Sequence, residues 1–158
     1  EIRASAPVDL FDMIDLTLAE VVARYPEARQ IGVLSTQGTR LAGLYASECR
    51  RRGLEVVEPT NEVQSRLVDR AIQQVKTGSH PSDSTVRIQQ ATETLAVRGA
   101  TVVIAGCTEI PIAIAGASTA LPVIDATDCL AGAVVERSQN LSGTPDRALS
   151  READAAAP

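Results

Sequence analysis

Aromatic side chains are almost missing from this sequence: 158 residues hold one Phe, two Tyr and no Trp. Stacking platforms for nucleic-acid bases need several such rings, so a single-stranded nucleic acid is a poor candidate ligand. Basic residues number 15 against 20 acidic ones and form no stripe, which argues against nucleic acid and anionic membranes as partners. Histidine occurs once, at His80, in a loop of Gly, Ser and Pro. A Ser-His-Asp or Cys-His arrangement has little to build on there, and one His with scattered Cys makes no zinc site. Cys49, Cys107 and Cys129 are an odd number with no Cys-x-x-Cys spacing, as expected of reduced thiols in the cytoplasm rather than a disulfide framework. The first residues lack the basic-then-apolar pattern of a secretory leader. No glycine-rich phosphate fingerprint follows a strand; Thr36-Gln37-Gly38-Thr39 is too short for one.

What remains is an aliphatic core, drawn from the 44% of residues that are apolar. The apolar stretch 100–124 is cut by Glu109, Pro111, Pro122 and glycines into pieces of strand length, which reads as soluble core rather than a membrane span. Periodicity predicts a helix over 9–24 (Leu10, Met13, Ile14, Thr17, Leu18 and Val21 inward), a strand over 31–36 and a helix over 39–52 (Leu41, Leu44, Tyr45 and Cys49 inward). A second strand follows at 54–58, then a helix over 62–76 capped by Asn61, with Leu67, Val68, Ile72 and Val75 inward. After the loop 78–83 come a helix over 83–97 (Val86, Gln90 and Leu95 inward), a third strand ending at Cys107, a short helix over 110–115, a strand over 121–125 and a helix over 127–137. Residues 1–7 read as a ragged start, and 138–158, rich in Ser, Ala, Pro and Asp, as a disordered tail. Alternating strands and helices predict an α/β fold: a four-stranded parallel sheet with right-handed crossovers and helices on both faces. A short echo links Ala6-Pro7-Val8 followed by Ile14-Asp15-Leu16-Thr17 to Leu121-Pro122-Val123-Ile124-Asp125-Ala126-Thr127. The chain is expected to divide into 1–30, an N-terminal helix that the echo would make the tail of an earlier, homologous domain, a lobe at 31–137, and the tail at 138–158.

Cys107 is the residue on which chemistry would rest. Thr101 to Ile104 is a β-branched run suited to a strand covered on both faces. Gly106 breaks it and Cys107 follows at once, at the carboxyl end of a strand, where open α/β sheets bind ligands. A helix N-terminus just beyond would lower the thiol pKa and favour thiolate. The plain alternative is a small buried hydrophobe. Cys49, mid-helix, and Cys129, in the last helix, have no strand-end context and read as structural.

The string Gly106-Cys107-Thr108-Glu109-Ile110-Pro111 resembles the second cysteine motif of the aspartate/glutamate racemase superfamily, in its aspartate branch; the glutamate branch usually carries His at the position of Glu109. Further pieces occur in the matching order: Ser35-Thr36-Gln37-Gly38-Thr39, Glu58-Pro59-Thr60-Asn61-Glu62-Val63-Gln64, Val75-Lys76-Thr77-Gly78 and Pro122-Val123-Ile124-Asp125. The resemblance spans about residues 31–133. It implies a reaction without pyridoxal phosphate or any other cofactor, in which two thiols face the α-carbon from opposite sides, one removing the proton and the other returning one. By this resemblance Cys107 is the second-lobe thiol and Thr108 holds the α-carboxylate. Thr36 and Thr39 line the cleft, besides serving as turn and cap residues. Lys76 anchors the side-chain carboxylate; otherwise it is a solvated lysine at a helix end. The family's first lobe, with its glycine-rich strand exit and Cys-Asn-Thr motif, has no counterpart in this sequence.

The expected function is therefore one lobe of a cofactor-independent amino-acid racemase acting on a small acidic amino acid such as aspartate. The rival is a non-catalytic binding or interaction domain of the same build. A further alternative is a sister chemistry, maleate isomerisation or decarboxylation of a malonate. A lobe of this kind would leave apolar surface around Cys107, Ile110, Pro111 and the helix over 9–24, so self-association or a first-lobe partner is expected.

Overall fold

The computed structural model describes residues 10–142. Four strands, β1 (Gln30–Leu34), β2 (Glu55–Val57), β3 (Val102–Ala105) and β4 (Val123–Asp125), form one sheet in the order β2-β1-β3-β4. All neighbours are parallel, with Ile31 opposite Val102 and Ile104 opposite Ile124. The expected α/β architecture is present.

Among the described residues seven helical segments cover the two faces: α1 (Met13–Arg24), α2 (Gln37–Leu41), α3 (Leu44–Arg51), α4, α5 (Pro81–Val97), α6 (Glu109–Ala113) and α7 (Ala126–Ser142). Helix α4 starts at Asn61–Val63, widens into a π-helical stretch at Gln64–Val68 and continues over Asp69–Thr77. The strand period of two sorts the central residues between the faces. Val103, Ala105 and Leu34 join Val68, Ile72, Ile88 and Leu95 of α4 and α5. Val102, Ile104, Ile31 and Val33 join Leu18 and Val21 of α1 and Tyr45 and Cys49 of α3. A strand buried on both sides reads as one continuous apolar run, which is why Val102–Ala105 shows no alternation in sequence.

Several expectations are corrected. Helix α1 starts at Met13, because the Asp12 carboxylate accepts from the N–H groups of Ile14 and Asp15 and caps it there. The helix expected over 39–52 is two helices. Gly43, at φ 63°, takes the left-handed conformation between them, and Leu41 and Leu44 turn outward, 73% and 48% exposed. The cap of α4 is Thr60, whose hydroxyl accepts from Val63 N–H, while Asn61 receives Arg40 at 2.5 Å. Helix α5 begins at Pro81 and buries Ser84, Ile88, Ala91, Thr92 and Leu95; Val86 and Gln90 face out. Helix α7 runs over Ala126–Ser142, past the expected end at 137. The ragged start, the Ala6-Pro7-Val8 half of the echo and the tail beyond 142 lie outside the described residues.

The expectation of an uncovered α1 is also corrected: Leu18 and Val21 are buried against the lobe's own sheet and β4. Ile110 is likewise in the core. Among the described residues no helix is long and apolar enough to cross a membrane.

Candidate functional site

The two central strands carry the site. Strand β3 ends at Ala105, and Gly106 N–H still reaches Leu34 O of β1 at 2.8 Å, so the chain leaves the sheet in register before turning into α6. Cys107 is half-buried in that turn. Its Sγ donates to Glu109 Oε2 at 2.8 Å. Thr108 Oγ1 donates to the same oxygen at 3.1 Å, and Lys76 Nζ lies 3.8 Å from Glu109 Oε1. Lys76 stands in the last turn of α4, just before Gly78 closes that helix in the left-handed conformation. Cys107, Thr108 and Lys76 thus meet, and they meet on Glu109.

This arrangement overturns the expected low thiol pKa. Burial and the Glu109 carboxylate push the Cys107 thiol up to about 11. Helix α6 has only five residues, and a carboxylate at hydrogen-bond distance opposes thiolate formation more strongly than so short a dipole favours it. The same contacts work the other way on Glu109: the hydrogen bond from Cys107, followed by those within the turn and the Lys76 charge, hold its carboxyl below the usual range. At neutral pH the cluster is a protonated thiol, a carboxylate and an ammonium. It can donate a proton and bind an anion.

Thr36 and Thr39 sit at the exit of β1. Their hydroxyls are 3.0 Å apart, and Thr36 Oγ1 also accepts Thr39 N–H as the cap of α2. Their turn-and-cap role is therefore present, at the same strand ends as Cys107 but as a separate pair.

Two residues escaped the sequence reading. Glu109 was visible as a motif letter, yet nothing in spacing alone gives it three partners. Gln64 is 1% exposed; its amide nitrogen donates to Ser35 O at 2.9 Å and to Asp69 Oδ1 at 2.7 Å. It ties the β1 exit to the widened turn of α4, the kind of irregularity that clusters at functional sites. Its signals in the sequence were its place at the end of the matched string 58–64 and a polar side chain at an inward helical position, three and four residues before Leu67 and Val68.

The other thiols stand elsewhere. Cys49 is fully buried in α3, and burial takes it to about 11. Cys129 lies in a groove of about 660 Å³ between α1 and α7, with Glu20, Asp125 and Asp128. His80 caps α5 in the left-handed conformation. Among the described residues no three His, Cys, Asp or Glu side chains are grouped to hold a metal ion.

Similar architectures occur in solved structures. An aspartate racemase homologue from Pyrococcus horikoshii superimposes with a TM-score of 0.75 at 24% identity, over 87% of this chain and 60% of its own length. The aspartate racemase of Picrophilus torridus gives 0.67 at 25% identity, over 82% and 52%. A glutamate racemase isoform from Bacillus anthracis gives 0.54 at 19% identity, over 89% and 52%. The chain therefore spans half to three-fifths of the length of these proteins. The model of the Asp/Glu/Hydantoin racemase family matches residues 1–134, most of the sequence and all of the sheet and the Cys107 turn, and the chain belongs to that family.

Proposed function

We propose that this lobe supplies one face of a cofactor-independent racemisation of a small acidic amino acid, aspartate being the best fit. The observation that carries the reading is the convergence of Cys107, Thr108 and Lys76 on Glu109 at the carboxyl end of β3. A base on one side of the α-carbon removes its proton, and the electron pair left behind spreads into the α-carboxylate. Cys107 Sγ–H delivers a proton to the opposite side and is left as thiolate. The resting state favours this acid role, because the thiol holds its proton at neutral pH. Lys76, half-exposed and only loosely paired at 3.8 Å, can turn from Glu109 to a substrate carboxylate. Thr108, exposed at the start of α6, offers a hydroxyl and an N–H to the α-carboxylate. Thr36 and Thr39 line the adjoining strand exit.

The base on the other side comes from outside the Cys107 cluster, since Cys49 is in the core and Cys129 in the α1/α7 groove. The reading thus includes a second lobe or a second copy of the chain as partner, set against the exposed Leu10, Phe11, Leu41 and Leu44. A strictly monomeric species by sedimentation across the micromolar range, with full racemase turnover, would remove that part.

A second reading, a binding domain without turnover, is favoured by the same raised thiol. The two separate on α-proton exchange from D- and L-aspartate in D₂O, followed by proton NMR. Exchange that is lost in Cys107→Ser supports the racemase reading. Aspartate binding without exchange, at any enzyme concentration or in the presence of the partner lobe, supports the binding domain.

A further inference from the structure

Tyr45 stands on the inner face of α3, 3% exposed, packed with Ile31, Val33, Cys49 and Ile104. Its hydroxyl has no hydrogen-bond partner among the described residues. A phenylalanine would fill the same space without an unmet donor, so packing alone does not explain the oxygen. The ring leans on the backbone that leads to Cys107: a methyl group on Gly106 would lie 2.9 Å from Tyr45 Cε2 and 3.2 Å from both Cζ and the hydroxyl oxygen. Only glycine fits at 106 because Tyr45 occupies that space. Burial, with Cys129, Cys49, Asp12 and Asp125 facing it, pushes the phenol up to about 12. It is a hydrogen-bond donor at neutral pH, lodged against the residue before Cys107.

We infer that Tyr45 is a positioning residue of the Cys107 site. Acting through Gly106, its ring holds the turn that carries the thiol. Its free donor is taken up when a dicarboxylate settles at the strand ends and the turn tightens onto it. The inference rests on the dicarboxylate reading proposed above.

The test uses succinate, a four-carbon dicarboxylate without the reacting amino acid centre, as the probe. Cys107 alkylation by iodoacetamide is followed by mass spectrometry across succinate concentrations, in the wild-type chain and in Tyr45→Phe, with thermal unfolding of each. The expected result is a Tyr45→Phe protein that unfolds at the same or a higher temperature. It nevertheless needs about five-fold more succinate for half-protection of Cys107, the scale of one neutral hydrogen bond. Equal half-protection in the two proteins overturns the inference and leaves the dicarboxylate reading standing. A lower unfolding temperature with unchanged protection gives the hydroxyl a purely structural partner and overturns it too. A wild-type Cys107 that succinate never protects removes the dicarboxylate reading, and the inference with it.

Discussion

Cys49 and Cys107 are both weak acids in this fold, each pushed up to about 11, but by different surroundings. Cys49 is fully buried in α3 among aliphatic side chains and Tyr45; burial is the leading cause, and Glu48 adds to it. Cys107 is half-buried at a strand end, and a carboxylate that accepts its proton's hydrogen bond adds to the effect of burial. A raised thiol therefore identifies neither a core residue nor an acid. What separates the two is whether a second polar group is placed to trade with the thiol, and only the Cys107 turn has one that is itself tied to a lysine and a threonine.

Substitution should pull the two apart most sharply in activity. Cys107→Ser is expected to cut α-proton exchange on aspartate by about 100-fold or more, the scale of a lost acid/base group, with little change in unfolding temperature because the site is half open. Cys49→Ser should do the reverse. A hydroxyl with no partner in the α3 core should lower stability by about 1–3 kcal/mol, read by urea unfolding, and leave exchange per folded molecule unaltered. Loss of exchange in folded Cys49→Ser would break the distinction.

The carboxylate is the next lever. Glu109→Gln keeps a hydrogen-bonding group beside Cys107 but removes the charge. The pH at which iodoacetamide half-labels Cys107 should move down from about 11 toward the ordinary thiol range, and labelling at neutral pH should speed up. Cys49 in the same protein should stay unlabelled until it unfolds. An unmoved Cys107 profile would mean that burial alone sets it.

The comparison also shows what could be read in advance. Strand and helix order, the parallel sheet and Cys107 at the end of β3 were legible, because local propensity, glycine punctuation and β-branched runs agree there. The inward face of α5 was misread. Val86 and Leu95 are both apolar, but only Leu95 is buried, and the positions that pack with it are occupied by Ser84, Ile88, Ala91 and Thr92; two are polar residues whose hydroxyls bond back to their own helix. The break at Gly43 was hidden because an isolated glycine also occurs inside helices. The raised thiol pKa was not legible because burial at the strand end, followed by the hydrogen bond to Glu109, outweighs the local dipole that sequence can suggest. Lys76 and Glu109 are 33 positions apart, so their pairing rests on α4 and α6 lying side by side, which no spacing reveals.

Lys76 offers a smaller and more graded test. If its ammonium turns to a substrate carboxylate, Lys76→Ala should weaken aspartate or succinate binding by about ten-fold, as expected for one charge-assisted hydrogen bond that is partly shielded. Calorimetry reads it directly. Because the contact with Glu109 is long and half-exposed, unfolding temperature should hardly change. Unchanged affinity would return Lys76 to the solvated end of α4.

The smallest expected effect concerns alkaline stability, and it weighs Cys49 against Cys107 once more. A thiol whose pKa is higher in the fold than its ordinary value of 9.0 favours the native state only while it is protonated. Its contribution is complete below about pH 9 and is lost as pH rises through about 11. Urea unfolding of the wild-type chain should therefore show a falling midpoint across that window, to which Cys129 and Tyr45, both also raised, contribute. Cys49→Ala removes one titrating group from the closed core, and Cys107→Ala removes one from the half-open turn. Each variant should fall less steeply than wild type between pH 9 and 11, and by similar amounts, because the two thiols are raised alike although by different surroundings. A Cys107→Ala protein that falls as steeply as wild type would mean that the Cys107 thiol does not titrate in that window, and the case for a protonated acid at the end of β3 would weaken accordingly.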